Sequence, residues 1–210
     1  MSDASAGKRP SFFKERIYPI LFMILVTVVF ISVVSGIYLS TEDLVLLNES
    51  LFEKKAVLYA AGIEVADDDG QEVESTYNSR VKPVETSIGT VYEILGTNGS
   101  RQGLVINQTG PGLWGEITAV VGFDTSGKKL TGVDFTKQNE TPGLGARIME
   151  DWFREQFRGK TPPFTTVPEG TAAGEKEFDA ITGATRTSDG VLGIMNNSLK
   201  TADTALKEIQ

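Results

Sequence analysis

The 210 residues contain neither cysteine nor histidine. Without thiolates or imidazoles there can be no iron–sulfur cluster, thiolate zinc site, histidine-held haem or C-x-x-C-H haem attachment. Catalytic triads built on histidine are excluded, and with them the commonest general base. A lipoprotein anchor, which needs a cysteine, is excluded too. Any redox chemistry must come from an organic cofactor. Basic charge is also scarce: 20 Lys and Arg against 28 Asp and Glu leave a formal net charge of -8. That is the wrong sign for a nucleic-acid partner. The local run Asp67-Asp68-Asp69 reads as a solvated loop, since a calcium loop would need further spaced oxygen ligands. No catalytic residue and no metal ligand is expected.

Between Ile17 and Leu39 there are 23 residues without a charge, mostly Ile, Leu, Val, Phe and Met. As a helix this stretch is about 35 Å long, enough to cross a hydrocarbon core of about 30 Å. Lys8, Arg9, Lys14 and Arg16 precede it, and Glu42, Asp43 and Glu49 follow. The basic side stays in the cytoplasm, so the remainder is expected outside it. A cleaved signal peptide is the competing reading. Its apolar region would be about 7–15 residues, and Val34-Ser35-Gly36 is a weak cleavage site. A buried soluble helix is disfavoured because the stretch is apolar all round.

Thr41 can cap a second helix beginning with Glu42 and Asp43, with Leu44, Leu47, Leu51 and Leu58 on its apolar face and Gly62 as its stop. Residues 64–80 read as an acidic loop. Strands are expected over 87–95, 102–108, 116–123 and 130–136, with Asp124-Thr125-Ser126-Gly127 as a hairpin connection. A helix over 146–158 carries Ile148, Met149, Trp152, Phe153 and Phe157, and ends at Gly159 before Pro162-Pro163. Residues 161–175 read as a loop, and a last helix starts near Ser188. The expected fold class is α+β: an N-terminal transmembrane helix, then one extracytoplasmic domain of antiparallel strands packed with helices.

Three motifs carry chemistry. Asp179-Ala180-Ile181-Thr182-Gly183-Ala184-Thr185 reads D-x-x-T-G-A-T just ahead of the last helix. Gly183 and Ala184 have little bulk, and a helix N-terminus beyond them favours a phosphate on the Thr185 hydroxyl. Ser188 could cap that helix or bond a phosphate oxygen. An ordinary capped turn has the same composition. The second motif, Glu140-Thr141-Pro142-Gly143-Leu144-Gly145, offers Leu144 as an apolar plate for a flat ring, or is a plain turn before a helix. The third, Gly110-Pro111-Gly112-Leu113-Trp114-Gly115, puts two large apolar residues in a Gly-rich turn. Core packing and stacking on a flat ring both account for them. Neither Gly-rich motif has the spacing of a Rossmann or P-loop fingerprint.

In this order the motifs resemble those of the FMN-binding subunits of two related ion pumps. One is the sodium-translocating NADH:quinone oxidoreductase (Nqr), whose FMN-binding member is NqrC. The other is the Rnf ferredoxin:NAD oxidoreductase, whose FMN-binding member is RnfG. The likeness runs over nearly the whole chain. It implies FMN held as a phosphodiester on Thr185, installed from FAD by a flavin transferase outside the cytoplasmic membrane. It implies that Asp179, Thr182, Gly183, Ala184 and Thr185 are the transferase recognition sequence, with Thr182, Gly183 and Ala184 also in the phosphate pocket. Leu113, Trp114, Glu140, Thr141, Gly143, Leu144 and Gly145 would line the flavin. The implied division is a cytoplasmic N-terminus over 1–16, a single-pass transmembrane helix over 17–39, a linking helix and acidic loop over 40–80, and the FMN domain over 81–210. The implied partners are the other membrane subunits of an Rnf/Nqr-type complex, the transferase and the lipid bilayer. The implied role is an electron relay, not binding of NADH or ferredoxin. The chain departs from the pattern where a histidine often precedes E-T-P-G-L-G: here stand Gln138 and Asn139. The G-L-W-G stretch and Lys55–Ile63 look closer to the quinone-reductase branch, whereas the length is nearer that of the Rnf branch. Two other functions stay open: a stand-alone anchored FMN domain feeding an extracytoplasmic reductase, and a non-redox anchored binding module.

Overall fold

The structure, a computed structural model, describes residues 16–66 and 69–209. Lys8, Arg9 and Lys14 of the basic flank, and Asp67 and Asp68 of the acidic run, lie outside the described residues. The chain divides into two compact units, Met1–Asn48 and Glu49–Gln210.

Helix α1 runs unbroken over Tyr18–Ala60, which corrects the expectation of two helices with a cap at Thr41. The Ser40 and Thr41 hydroxyls donate back to the carbonyls of Gly36 and Ile37. They are thus used up inside a continuing helix instead of capping a new one. No proline or glycine occurs between Leu39 and Ala60 to interrupt it. In the first unit the helix is long and apolar enough to cross a membrane. Its Ile, Leu, Val and Phe side chains are exposed all round, as a lipid-facing helix requires.

The second unit is built on five strands. β1 (Val81–Thr86), β2 (Gly89–Leu95), β3 (Arg101–Pro111), β4 (Glu116–Asp124) and β5 (Leu130–Lys137) form an antiparallel meander in sequence order. The last four match expected strands; β1 fell in a region without an assigned element. Side chains alternate across the sheet. Leu104, Ile106, Ile117, Ala119, Val121 and Phe123 share a core with α4 (Thr185–Glu208). Val105 and Val120 on the other face pack with Ala56, Val57, Leu58 and Ala60 from the end of α1 and with Val73 of α2 (Gly70–Arg80). Both faces are covered, so the central strands read as continuous apolar runs. Gly62 ends α1 with a φ of 74°, and Thr131 Oγ1 donates to Ala60 O at 2.6 Å, fixing that end on the sheet.

Three other expectations are corrected. Within 64–80, residues 70–80 are α2 and not loop. Asp69 accepts from the N–H groups of Gln71 and Glu72 and so caps the helix. The single helix over 146–158 is three short pieces: a 3-10 turn Gly145–Met149, α3 (Asp151–Arg154) and a 3-10 turn Glu155–Phe157. Glu150, with a ψ of 144°, is extended and breaks the helix. The 161–175 loop contains β6 (Thr165–Val167), which pairs in parallel with β7 (Glu177–Asp179). These short pieces are held by rings instead of by helical periodicity. Phe153, Phe157, Phe164 and Phe178 are buried and meet at centroid distances of 4.9–6.4 Å, several edge to face.

Candidate functional site

Helix α4 begins at Thr185, three residues earlier than expected. Its buried positions Val191, Ile194, Met195, Ser198, Ala202 and Ala205 recur at helical spacing and seat it on the sheet. Thr185 is therefore the first helical residue, and it is exposed. Ala184 is the cap position and supplies no side-chain hydrogen bond. The first-turn N–H groups thus have no side-chain acceptor and are available to an anion. Ser188 takes neither role expected of it. It is buried, its Oγ accepts from Ile181 N and donates to Ala184 O, and it ties the turn from inside.

The turn before the helix depends on Gly183, whose φ is 80°. A side chain there would be strained, and its Cβ would stand 3.2 Å from Leu144 Cδ2. That contact brings the second motif against the first. Leu144 is 43% exposed. The third motif arrives through Glu140. Its Oε1 accepts from Leu113 N at 2.8 Å and Trp114 N at 3.1 Å, and its Oε2 from the Thr187 hydroxyl in the first turn of α4. Glu140 is buried at 5% exposure, and all three partners are donors, which suits a carboxylate. Space for it comes from glycines: a Cβ on Gly112 would lie 2.5 Å from Glu140 Oε1, and one on Gly145 2.7 Å from Oε2.

One buried carboxyl thus joins the two Gly-rich motifs to the first turn of α4, which the D-x-x-T-G-A-T motif leads into. Glu140, expected as part of a flavin wall, has both oxygens engaged by protein. Gly145 is buried with it, whereas Gly143 is exposed in the turn. Leu113 and Trp114 are exposed at 48% and 67%, which answers the choice between core packing and an open apolar surface. The Trp114 indole N–H donates to Thr141 Oγ1 at 3.2 Å, linking the two Gly-rich segments again. Leu113 and Trp114 thus leave large apolar side chains uncovered beside the Thr141 hydroxyl.

Thr182 is held by a side chain 13 residues upstream, and Asp179 by backbone groups seven and eight residues upstream. Thr182 N donates to Glu169 Oε2 at 2.8 Å, and Arg147 pairs with Glu169 at 3.0 Å. Asp179 Oδ1 accepts from Thr171 N and Ala172 N. Glu169, Arg147 and Thr187 were not among the expected site residues. Thr187 lies two residues past the motif, where proximity alone could have flagged it. Glu169 sits in a Pro- and Gly-rich stretch with no local signature. Among the described residues no group of acidic side chains could hold a metal ion.

The Thr182 N–H and then the Arg147 guanidinium hold the Glu169 carboxyl down at about 2. Arg158 does the same for Glu155, also at about 2. A folded-state value below the unfolded one stabilises above the unfolded pKa, and the effect is lost as pH falls through the folded pKa. The domain should therefore lose melting temperature between about pH 4.5 and about pH 2. Thermal melting against pH should show this fall, and Glu169→Gln should flatten it. Parallel curves for the two proteins would remove Glu169 from the account.

The chain is similar in sequence and fold to known proteins. A family profile described as an FMN-binding domain matches residues 112–200. The chain is 36% identical over 96 residues to NqrC of the Na(+)-translocating NADH-quinone reductase of Vibrio anguillarum, covering 42% of this chain and 38% of that one. It is 38% identical over 108 residues to RnfG of the Na(+)-translocating ferredoxin:NAD(+) oxidoreductase complex of Acetobacterium woodii, covering 50% and 51%. The match thus spans about half or less of the length of these curated relatives. Among solved structures, NqrC of the Na(+)-translocating NADH-quinone reductase from Parabacteroides distasonis superposes with a TM-score of 0.62 at 25% identity, over 77% of this chain and 94% of that one. NqrC from Shewanella oneidensis shares the fold, with a TM-score of 0.62 at 20% identity over 73% and 95%. Residues 112–200 thus match the profile of an FMN-binding domain, and the chain is similar in sequence to NqrC and RnfG and in fold to NqrC.

Proposed function

We propose that this chain is a membrane-anchored electron-relay subunit of an Rnf/Nqr-type ion-translocating oxidoreductase, with FMN joined through its phosphate to Thr185. The observation that carries the reading is exposed Thr185 at the first position of a 24-residue helix without a side-chain cap, with exposed Leu144 next to Gly183 and exposed Leu113 and Trp114 tied to the helix's first turn through Glu140. The first-turn N–H groups would hold the phosphate, and the helix dipole favours its charge. Leu113, Trp114 and Leu144 would contact the ring, while Thr141 orients the indole and Glu140 fixes the loop beneath. Thr182, Gly183 and Ala184 would shape the phosphate turn. Bound FMN supplies one- and two-electron transfer.

The apolar helix would anchor residues 17–39 in the cytoplasmic membrane as a single span. Arg16 and the other N-terminal basic residues would remain inside, with the FMN domain of 81–210 outside. There a flavin transferase would modify it, and the other membrane subunits of the complex would exchange electrons with it. A tether matters in that compartment, because dilute free FMN would otherwise be lost.

The test is ultraviolet fluorescence of the full chain, co-expressed with a flavin transferase, on a denaturing gel. A yellow-green band that survives denaturation is expected. A dark band for protein that is soluble in detergent and folded would contradict the covalent reading.

A further inference from the structure

The D-x-x-T-G-A-T segment is embedded in tertiary structure, and one oxygen of the Asp179 carboxylate is already engaged. Its Oδ1 accepts from Thr171 N at 2.9 Å and Ala172 N at 2.7 Å. These belong to the turn after β6, closed by bonds from Thr171 N and Oγ1 to Pro168 O. The same turn carries Glu169, whose Oε2 accepts from Thr182 N at 2.8 Å. Asp179 and Thr182 are close neighbours in the chain, yet their link runs through a loop well upstream of both. Arg147 closes the arrangement: its guanidinium pairs with Glu169 at 3.0 Å, and its own N–H donates to Leu144 O at 3.0 Å. The turn that presents Thr185 is thus held to the strand before it and to the segment bearing the exposed Leu144.

We propose that Glu169 is a positioning residue for modification of Thr185, and that Asp179 acts through it. Asp179 holds the 168–172 turn, the turn places Glu169, and Glu169 sets Thr182 so that the Thr185 hydroxyl is presented. This rests on the reading of Thr185 as the flavin acceptor. In the transfer, Thr185 Oγ1 bonds to the flavin-side phosphorus of FAD. The phosphoanhydride P–O bond breaks, AMP leaves, and the hydroxyl proton passes to a base supplied by the transferase or solvent. Glu169 takes no proton; it fixes the nucleophile's place, and small misplacements of reacting groups cost large factors in rate. The competing account has the transferase contact the Asp179 carboxylate directly.

The two accounts separate in flavinylation kinetics of the full chain in detergent, with purified flavin transferase and FAD. Glu169→Ala should lower kcat by about ten- to a hundredfold, with KM for the acceptor protein unchanged because no contact with the transferase is lost. Glu169→Gln, which still offers an oxygen to Thr182 N, should stay close to the wild-type rate. Asp179→Ala should resemble Glu169→Ala, whereas Asp179→Asn, which keeps an Oδ1 acceptor for Thr171 N and Ala172 N, should stay close to the wild-type rate. The double variant Asp179→Ala with Glu169→Ala should be no slower than the slower single one, since both act on one turn. Amide hydrogen exchange gives a second arm independent of turnover: Asp179→Ala should speed exchange at Thr182 while the middle of α4 stays protected. Labelling of Glu169→Ala at the wild-type rate overturns the inference. So does a raised KM in Asp179→Asn, effects that multiply in the double variant, or unchanged exchange at Thr182 in Asp179→Ala. A wild-type chain that gains no flavin removes the Thr185 reading and this inference with it, an outcome distinct from the others.

Discussion

Glu140→Ala should leave the chain folded but loosen the site, lowering stability by about 2–4 kcal/mol. Two terms set the size. The variant removes three hydrogen bonds to one buried carboxyl, from Leu113 N, Trp114 N and the Thr187 hydroxyl. Bonds to charged groups contribute about 1.5–3 kcal/mol each when buried. Water can reach the exposed Leu113–Trp114 loop and replace part of the loss, so the sum is well below three full bonds. The geometry also predicts what a conservative change does. Both backbone donors converge on Oε1, and only the Thr187 hydroxyl meets Oε2. In Glu140→Gln the amide oxygen can keep the two N–H groups, and its NH2 can donate to Thr187 Oγ1. That variant should therefore stay within about 1 kcal/mol of the parent. Urea unfolding measures both, and amide hydrogen exchange at Leu113 and Trp114 reports the loop: it should speed in Glu140→Ala and hold in Glu140→Gln. Equal losses in the two variants would mean that charge, and not the hydrogen-bond pattern, is what Glu140 provides.

Phe153→Ala should be the more damaging change, costing about 3–5 kcal/mol. Phe153 is fully buried and its ring lies 5.5–6.2 Å from those of Trp152, Phe157, Phe178 and Phe135. Edge-to-face pairs add about 0.5–1.5 kcal/mol beyond burial of area. The segment from Gly145 to Phe157 has only a four-residue α-helix and two 3-10 turns of its own, too little hydrogen-bonded structure to stand without the rings. A melting temperature lower by roughly 6–20 °C is expected for a domain of this size. The loss should reach the site too, because Leu144, Gly145 and Arg147 lead directly into that segment. A variant melting within a degree or two of the parent would show that the ring cluster is not what holds the segment.

What could be read from the sequence follows from how local each signal was. β2 to β5 were legible because their apolar residues are bounded by turn residues such as Asp124 to Gly127. Helix α2 was not: only Val73 of its eleven residues is buried, so no apolar stripe exists, and the remaining sign was Asp69 followed three residues later by Glu72. The 146–158 segment misled in the opposite way. Ile148, Met149, Trp152, Phe153 and Phe157 have helical spacing, but burial among rings decides their conformation and Glu150 breaks the helix. At the site, the motifs and the exposed Leu113, Trp114, Leu144 and Thr185 could be named from sequence. The inward turn of Glu140 and the hold of Glu169 on Thr182 could not, because each joins residues 13 to 47 positions apart.

The most direct test of the central claim is the mass of one peptide. Trypsin should release Glu177–Arg186, which contains both Thr182 and Thr185. From the full chain co-expressed with a flavin transferase, this peptide should carry the added mass of FMN less one water. Fragmentation should place the adduct on Thr185, and Thr185→Ala should eliminate it. An unmodified peptide from wild-type protein made under those conditions, or an adduct on Thr182, would contradict the account.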